Sequence, residues 1–99
     1  MRVLIAEDEK DLNKILSERL KAEHYSVDSC YDGQEALDYL ASAEYDAVIM
    51  DIMMPVMDGL SALRTMRRKN DSTPVLLLTA KDSIEDRVRG WTRGRMIIW

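Results

Sequence analysis

The sequence predicts a single doubly wound α/β domain built on a parallel sheet. Short apolar runs alternate with amphipathic stretches along the 99 residues. The apolar runs suit buried strands, because they are rich in branched residues and too short for helices. Strands that alternate with helices through short connections pair in parallel with right-handed crossovers. We therefore expect strand and helix to alternate four times along the chain.

Strands are expected at residues 3–6, 26–30, 47–50 and 75–78. The first helix is expected over 10–23, where apolar residues recur at helical spacing: Leu12, Ile15, Leu16 and Leu20. Asp32 precedes Glu35 by three positions, which is the spacing of a helix N-cap and its acidic partner, so the second helix should start at Asp32. The third helix should follow Gly59, and the fourth should start near Asp82.

Composition limits the functions open to this chain. Its net charge of -4 and pI near 4.9 argue against direct binding of nucleic acid, which needs a basic surface. The single cysteine, Cys30, cannot form an internal disulfide and fits a reducing compartment. No apolar run reaches the length of a signal peptide or membrane span. We expect a cytoplasmic protein with no membrane partner.

Acidic residues follow two of the expected strands. Asp51 ends the apolar run 47–50 and precedes a loop that Pro55 and Gly59 punctuate, whereas Glu7 and Asp8 directly follow the first strand. Thr79 follows the fourth strand. The carboxyl ends of parallel strands meet at one edge of the sheet, where ligand sites of such folds lie. We expect these four side chains to converge there, although Asp51 alone could equally be an ordinary surface residue.

Clustered carboxylates repel one another unless a cation neutralises them. A hard divalent ion with oxygen ligands, Mg²⁺ above all, suits the predicted cluster. An aspartate beside Mg²⁺ and a hydroxyl donor can attack phosphorus while the hydroxyl binds a phosphoryl oxygen. The pattern therefore indicates an aspartyl phosphate on Asp51.

Three motifs in order resemble the receiver domain of bacterial response regulators: Glu7-Asp8, Asp51-x-x-Met54-Pro55-x-Met57-Asp58-Gly59 and Thr79-Ala80-Lys81. The resemblance, which is strongest to the OmpR/PhoB-like subclass, implies a flavodoxin-like, CheY-like fold of strand order 2-1-3-4-5 and phosphotransfer from a histidine kinase. It further implies that Asp51 is the phosphoacceptor and Thr79 the phosphate-binding switch hydroxyl. The implied Mg²⁺ ligands are Asp8, Asp51, Glu7 through a water molecule, and Met53 through its backbone carbonyl.

Residues 91–99 depart from the family pattern, which continues approximately Leu-Asp-Ala-Gly-Ala-Asp-Asp-Tyr-Leu-Val-Lys-Pro after Gly90. Codons for that pattern, CTG GAC GCG GGG GCG GAT GAT TAT CTG G, encode the observed tail once the first C is removed. A following GTG AAA then yields the stop codon TGA. We therefore expect a one-base frameshift near codon 90 or 91, a receiver domain over 1–90 and an aberrant tail over 91–99. Sequencing the coding DNA tests this expectation.

The resemblance also implies what the tail replaces, namely most of the fifth strand, the fifth helix and a phosphate-binding lysine. Lys81 should point along the fourth helix and is a poor substitute. We therefore expect an incomplete sheet of order 2-1-3-4 and impaired phosphorylation.

Two other functions remain open. An exposed, flat apolar strand recruits other strands, so 75–78 predicts a homo-oligomer built through the fourth strand, fourth helix and tail. The alternative to a receiver is therefore a non-signalling oligomeric interaction fragment without phosphotransfer. A phosphohydrolase is disfavoured, because such enzymes usually carry a second aspartate where Met53 stands. We expect no enzyme activity beyond self-phosphorylation and autodephosphorylation at Asp51.

Overall fold

The computed structural model describes residues 1–78 and the main chain of 96–98. Strands and helices alternate as the sequence predicts: β1 (Arg2–Ala6), α1 (Lys10–Ala22), β2 (Ser26–Cys30), α2 (Gly33–Ser42), β3 (Ala47–Asp51), α3 (Gly59–Arg68), β4 (Val75–Leu78) and β5 (Met96–Ile98). The fourth helix, expected near Asp82, lies outside the described residues. Among the described helices, none is long and apolar enough to cross a membrane.

The sheet has the order β2-β1-β3-β4-β5, and its first four strands are parallel. The alternation of strands and helices predicts this doubly wound α/β architecture, and the resemblance to receiver domains implies its flavodoxin-like strand order. Ala6 of β1 lies opposite Met50 of β3, and Asp51 lies opposite Leu78 of β4. The carboxyl ends of three neighbouring strands therefore reach the same edge of the sheet.

Apolar side chains cover both faces of the sheet. On one face α2 and α3 pack against strand residues such as Leu4, Val48 and Leu77. On the other face Leu12 and Leu16 of α1 pack against Ile5 and Ile49. Ile15, which the helical spacing assigns to the same stripe, is 37% exposed. The buried stripe of α1 is therefore narrower than the sequence suggests.

Aspartate caps begin α2 and α3 as the sequence predicts. Asp32 Oδ1 accepts a hydrogen bond of 2.8 Å from the Glu35 amide, and the Glu35 carboxylate in turn accepts one of 2.8 Å from the amide of Tyr31. Asp58 Oδ1 accepts a hydrogen bond of 2.7 Å from the amide of Ser61. Each cap satisfies an N–H that has no partner within its own helix.

The expectation that β4 is left as an open edge is wrong. Met96, Ile97 and Ile98 pair with Leu78, Leu77 and Leu76, so a short β5 covers β4 within the same chain. This strand is antiparallel to β4, whereas the first four strands are parallel to one another. β5 therefore begins at the edge of the sheet where Asp51 lies and runs away from it.

Candidate functional site

Three acidic residues meet at the carboxyl ends of two adjacent strands. Glu7 and Asp8 directly follow β1, and Asp51 is the last residue of β3. One carboxylate oxygen from each residue lies within 4.8 Å of the others. The convergence predicted for these three residues is therefore present, although they are far apart in sequence. Thr79, the fourth residue predicted to join them, lies outside the described residues.

Burial makes this cluster electrostatically unfavourable without a cation. The side chains of Glu7 and Asp51 are fully buried. The pKa of Glu7 is raised to about 9, chiefly by burial and also by the neighbouring charge of Asp51, against the opposing effect of a hydrogen bond of 2.8 Å from the Glu9 amide. Two carboxylates held in a poorly hydrated space resist being ionised together. The site therefore favours a bound positive charge.

The oxygen atoms of the cluster fit a hard divalent cation. Asp8 Oδ1 is buried and accepts no hydrogen bond within the described part of the chain. Buried carboxylate oxygens are normally satisfied, so an oxygen of this kind beside two other carboxylates is suited to bind a metal ion. Asp51 Oδ1 accepts a hydrogen bond of 3.2 Å from the amide of Met53, which folds the following loop back over the carboxylate.

The loop after Asp51 is held by close main-chain contacts. The Gly59 amide donates a hydrogen bond of 2.8 Å to the carbonyl of Ile52, and a Cβ atom on Gly59 would lie only 2.3 Å from the Asp51 carbonyl oxygen. Glycine is therefore required at position 59 for space. Val56 has a φ of 68°, and the Met57 amide donates to the Pro55 carbonyl at 2.7 Å, which together define a strained γ-turn.

Polar residues behind the cluster were not identified by the sequence pattern. Asn13 lies on the buried side of α1 and is only 2% exposed. Its side-chain amide donates to the carbonyls of Glu7 and Cys30 at 3.0 and 2.9 Å. Hydrophobic periodicity assigns polar residues to the exposed side of a helix, so it overlooks Asn13. The one available signal was an asparagine one position after Leu12, inside the apolar stripe.

The side chain of Met53 is not part of the buried cluster. It is 61% exposed, so a role in the site can come only from its main chain. The sequence-based prediction for this residue concerns its backbone carbonyl as a metal ligand, and it stays a prediction. Val56 is 83% exposed on the same loop. The loop therefore presents apolar side chains to solvent around an acidic centre.

A doubly wound sheet that brings three carboxylates together at the ends of β1 and β3 defines an α/β domain with a candidate cation site. Residues 3–97 match the family model described as the response regulator receiver domain. The chain therefore belongs to the receiver domain family of response regulators. As a family, receiver domains are not classical enzymes, and they bind Mg²⁺ at an acidic site.

Curated relatives and solved structures agree with this assignment. The chain is 43% identical over 94 residues to the response regulator MprA of Mycobacterium avium, which covers 95% of this chain and 41% of that protein. It spans about two fifths of the length of such relatives. The Francisella response regulator 1452 receiver domain is 34% identical with a TM-score of 0.78. The match covers 94% of this chain and 77% of the Francisella chain. Thermotoga maritima TrrA, solved with Mg²⁺-BeF, is 36% identical with a TM-score of 0.76. The match covers 91% of this chain and 78% of the TrrA chain.

Proposed function

We propose that this chain is the phosphoacceptor module of a two-component phosphorelay, and that Asp51 receives the phosphoryl group of a histidine kinase. The observation that carries this proposal is the convergence of Glu7, Asp8 and Asp51 within 4.8 Å at the edge of the sheet. In the reaction, an Asp51 carboxylate oxygen attacks phosphorus. The bond from phosphorus to the kinase histidine nitrogen breaks, and its electron pair leaves with the histidine.

Mg²⁺ would offset the charge of the phosphoryl oxygens during this transfer. Asp8 and Asp51 would hold the ion directly, Glu7 would hold it through a water molecule, and Met53 would contribute its backbone carbonyl. The buried, unsatisfied oxygen of Asp8 and the raised pKa of Glu7 support this ligand set. Thr79 is proposed to donate its hydroxyl to a phosphoryl oxygen. Autodephosphorylation at Asp51 would be the only hydrolytic reaction.

We also propose that transfer to Asp51 is impaired. In the resembled family a lysine at the end of the fifth strand contacts the phosphate, and residues 91–99 contain no lysine. The direction of β5 adds to this argument, because Ile98 pairs with Leu76 and not with the residue beside Asp51. The carboxyl end of β5 therefore lies away from the edge of the sheet where Asp51 lies. We propose, on the same grounds, that the receiver domain spans residues 1–90 and that residues 91–99 form an aberrant tail.

The net charge and the edge strand of the sheet bear on which other molecules this chain binds. We propose a cytoplasmic homo-oligomer assembled near the fourth strand, fourth helix and tail. Since β5 covers β4, the main-chain groups on the outer side of β5 now form the sheet edge that is open to a second copy. The net charge of -4 supports the absence of direct nucleic-acid binding. Regulation of transcription would belong to a longer protein, as in relatives of which this chain spans 41%.

Incubation with Mg²⁺ and acetyl phosphate, followed by intact-protein mass spectrometry, tests the proposed phosphorylation. We expect slow addition of one phosphoryl group that is lost in hydroxylamine, as expected of an acyl phosphate. Asp51→Asn should abolish the addition. Asp46→Asn provides a matched control, because Asp46 is exposed and directly precedes β3, at the other end of the strand from Asp51, where its carboxylate accepts a hydrogen bond from the amide of Arg2.

The same measurement separates the competing functions. A non-signalling interaction fragment would add no phosphoryl group under any condition. A phosphohydrolase would release phosphate over many turnovers without accumulating the modified protein. Either result would contradict the proposal, as would equal labelling of the Asp51→Asn variant.

A further inference from the structure

The junction between β2 and α2, residues 30–33, touches both loops that carry the acidic cluster. One loop follows β1 and carries Glu7 and Asp8, and the other follows β3 and carries Met53 beside Asp51. The junction contributes no ligand to the cluster itself. Its contacts are main-chain contacts, and they approach the two loops separately.

The first contact ties the loop after β1 to the end of β2. The carbonyl of Cys30 accepts hydrogen bonds from the Glu7 amide at 3.1 Å and from Asn13 Nδ2 at 2.9 Å. Asn13 Nδ2 also donates to the Glu7 carbonyl at 3.0 Å. The buried side-chain amide of Asn13 therefore holds the main chain of both Glu7 and Cys30. These bonds fix where Glu7 begins the acidic loop.

The second contact ties the loop after β3 to the first residue of α2. The Gly33 amide donates a hydrogen bond of 3.0 Å to the carbonyl of Met57. A Cβ atom on Gly33 would lie 2.4 Å from that carbonyl oxygen, which is far closer than such atoms approach. The backbone conformation of Gly33 is one that other residues can adopt, so glycine is needed at this position only for space.

We propose that residues 30–33 act as a shared support that sets the spacing between the two acidic loops, with Asn13 and Gly33 as its positioning residues. The proposal rests on the Mg²⁺ site of the proposed function. Cys30 and Gly33 are three positions apart, so a displacement of one loop is passed to the other through a short stretch of main chain. The support therefore sets the distance from Asp8 to Asp51 without touching a ligand atom.

Replacing Gly33 with alanine separates this role from ordinary helix stability. Alanine is a better helix former than glycine, so helix propensity alone predicts a more stable α2. The added Cβ atom must instead displace the Met57 carbonyl. The loop cannot absorb this movement at its other end, because the amide of Gly59 is bonded to the carbonyl of Ile52. The displacement should therefore reach Met53 and Asp51.

Titration calorimetry with Mg²⁺ is the first test. We expect Gly33→Ala to bind Mg²⁺ about tenfold more weakly than the wild type, as is typical when residues that orient metal ligands are changed. Gln34→Ala is the matched control, since Gln34 is exposed on the same turn of α2, and it should bind Mg²⁺ like the wild type. Amide NMR shifts measured without metal should change around residues 51–57 in Gly33→Ala only.

Asn13→Leu gives an independent arm should Gly33→Ala fail to fold. Leucine has a similar size but cannot donate to the Glu7 carbonyl, so Mg²⁺ affinity should again fall about tenfold. Ser17→Ala is its control, because the Ser17 hydroxyl bonds Asn13 Oδ1, at 3.4 Å, and the hydroxyl of Ser29, so its removal leaves the donating Nδ2 atom of Asn13 in place. The double variant, Gly33→Ala with Asn13→Leu, should lose Mg²⁺ affinity by a smaller factor than the product of the two single-variant factors, because one support serves both loops.

The outcomes distinguish this inference from the proposed function. Wild-type protein that does not bind Mg²⁺ would contradict the proposed site itself. Wild-type protein that binds Mg²⁺ while Gly33→Ala and Asn13→Leu bind it equally well would overturn the shared support alone. Losses in the two variants that simply multiply in the double variant would also overturn it, because the loops would then be held independently.

Discussion

The Tyr45 hydroxyl donates a hydrogen bond of 2.7 Å to Asp28 Oδ2, the same oxygen that accepts a bond of 2.8 Å from Arg2 Nη2. The Arg2 guanidinium also lies over the Tyr45 ring, 5.0 Å from its centroid. These three residues join β1, β2 and the connection before β3 on the side of the sheet remote from Asp51. The group should therefore contribute to stability without affecting the acidic site.

Tyr45→Phe should lower the free energy of unfolding by about 1 kcal/mol, because it removes one hydrogen bond to a charged acceptor. It should leave Mg²⁺ affinity unchanged. Urea unfolding near pH 7 measures the loss, with Tyr39→Phe as a control on the exposed side of α2. Equal stability of the two variants would show that the bond to Asp28 contributes nothing.

The same bond predicts how stability depends on pH. Burial, and after it the hydrogen bond to Asp28, together raise the pKa of Tyr45 to about 12. The folded state therefore holds the phenol proton more tightly than the unfolded state, and this contribution is complete below the ordinary pKa of about 10. It is lost as pH rises through about 12. Ultraviolet titration should show one of the four tyrosines ionising last, and Tyr45→Phe should remove that step.

The Asp28 carboxylate predicts how the stability of the fold changes at acidic pH. Hydrogen bonds from Tyr45 and then Arg2 hold its pKa below the ordinary value. Its contribution to stability is therefore present above about pH 4 and is lost as pH falls through the folded-state pKa. The difference in stability between wild type and Asp28→Asn should shrink on acidification. A difference that grows below pH 4 would contradict this sign.

Asp51→Asn should have opposite effects on stability with and without metal. Without Mg²⁺, the substitution removes one charge from a buried acidic cluster and should raise stability by on the order of 1 kcal/mol. With Mg²⁺ at a hundred times its dissociation constant, the wild type should gain about 2.7 kcal/mol that the variant lacks. Thermal unfolding with and without Mg²⁺ measures both effects. A variant less stable than wild type in chelator would argue against repulsion within the cluster.

If residues 91–99 are the proposed aberrant tail, phosphorylation of Asp51 should be at least about a hundredfold slower than in a receiver domain that carries the phosphate-binding lysine, because that lysine stabilises transition-state charge. The receiver domain of Thermotoga maritima TrrA, measured under the same conditions with acetyl phosphate, is a suitable reference. Comparable rates in the two proteins would show that another residue of this chain supplies the charge.

Removal of the α2 cap should cost stability while leaving the strands intact. Asp32→Ala should lower the free energy of unfolding by about 1 kcal/mol, because the Glu35 amide loses its acceptor. Asp38→Ala is the matched control in the same helix, where the side chain is exposed and accepts only from Gln34. Chemical unfolding of the two variants gives the comparison, and equal costs would rule out a capping effect.

Local patterns were sufficient to predict the elements and the acidic cluster. The caps at Asp32 and Asp58 depend only on spacing within a few residues, and the run that ends at Asp51 marks a buried strand by its own composition. Parallel pairing then brings Glu7, Asp8 and Asp51 together, because strand ends share one edge. These features require no knowledge of side-chain packing.

Features that depend on tertiary contact were missed. Asn13 is buried because the carbonyls of Cys30, in β2, and Glu7, directly after β1, need a donor, and its position inside the apolar stripe of α1 was the one local sign of that need. The close approach of Gly33 to Met57 joins residues from two separate loops. The guanidinium of Arg67 donates to the carbonyls of Asp71 and Thr73 at 2.8 and 3.0 Å, which a run of charged residues at a helix end does not indicate. The direction of β5 was also unpredictable, since an apolar run does not encode whether it pairs parallel or antiparallel.

The antiparallel pairing of β5 shows that completing the sheet and placing a side chain beside Asp51 have different requirements. A strand edge recognises main-chain donors and acceptors, so an extended segment can complete it whatever its side chains, as Met96–Ile98 does on β4. The chemistry at the end of a strand depends on one side chain arriving from one direction. Architecture is therefore tolerant of replacement at this edge, whereas catalysis is not. A synthetic peptide could substitute for β5 in building the sheet and still contribute nothing to the chemistry at Asp51.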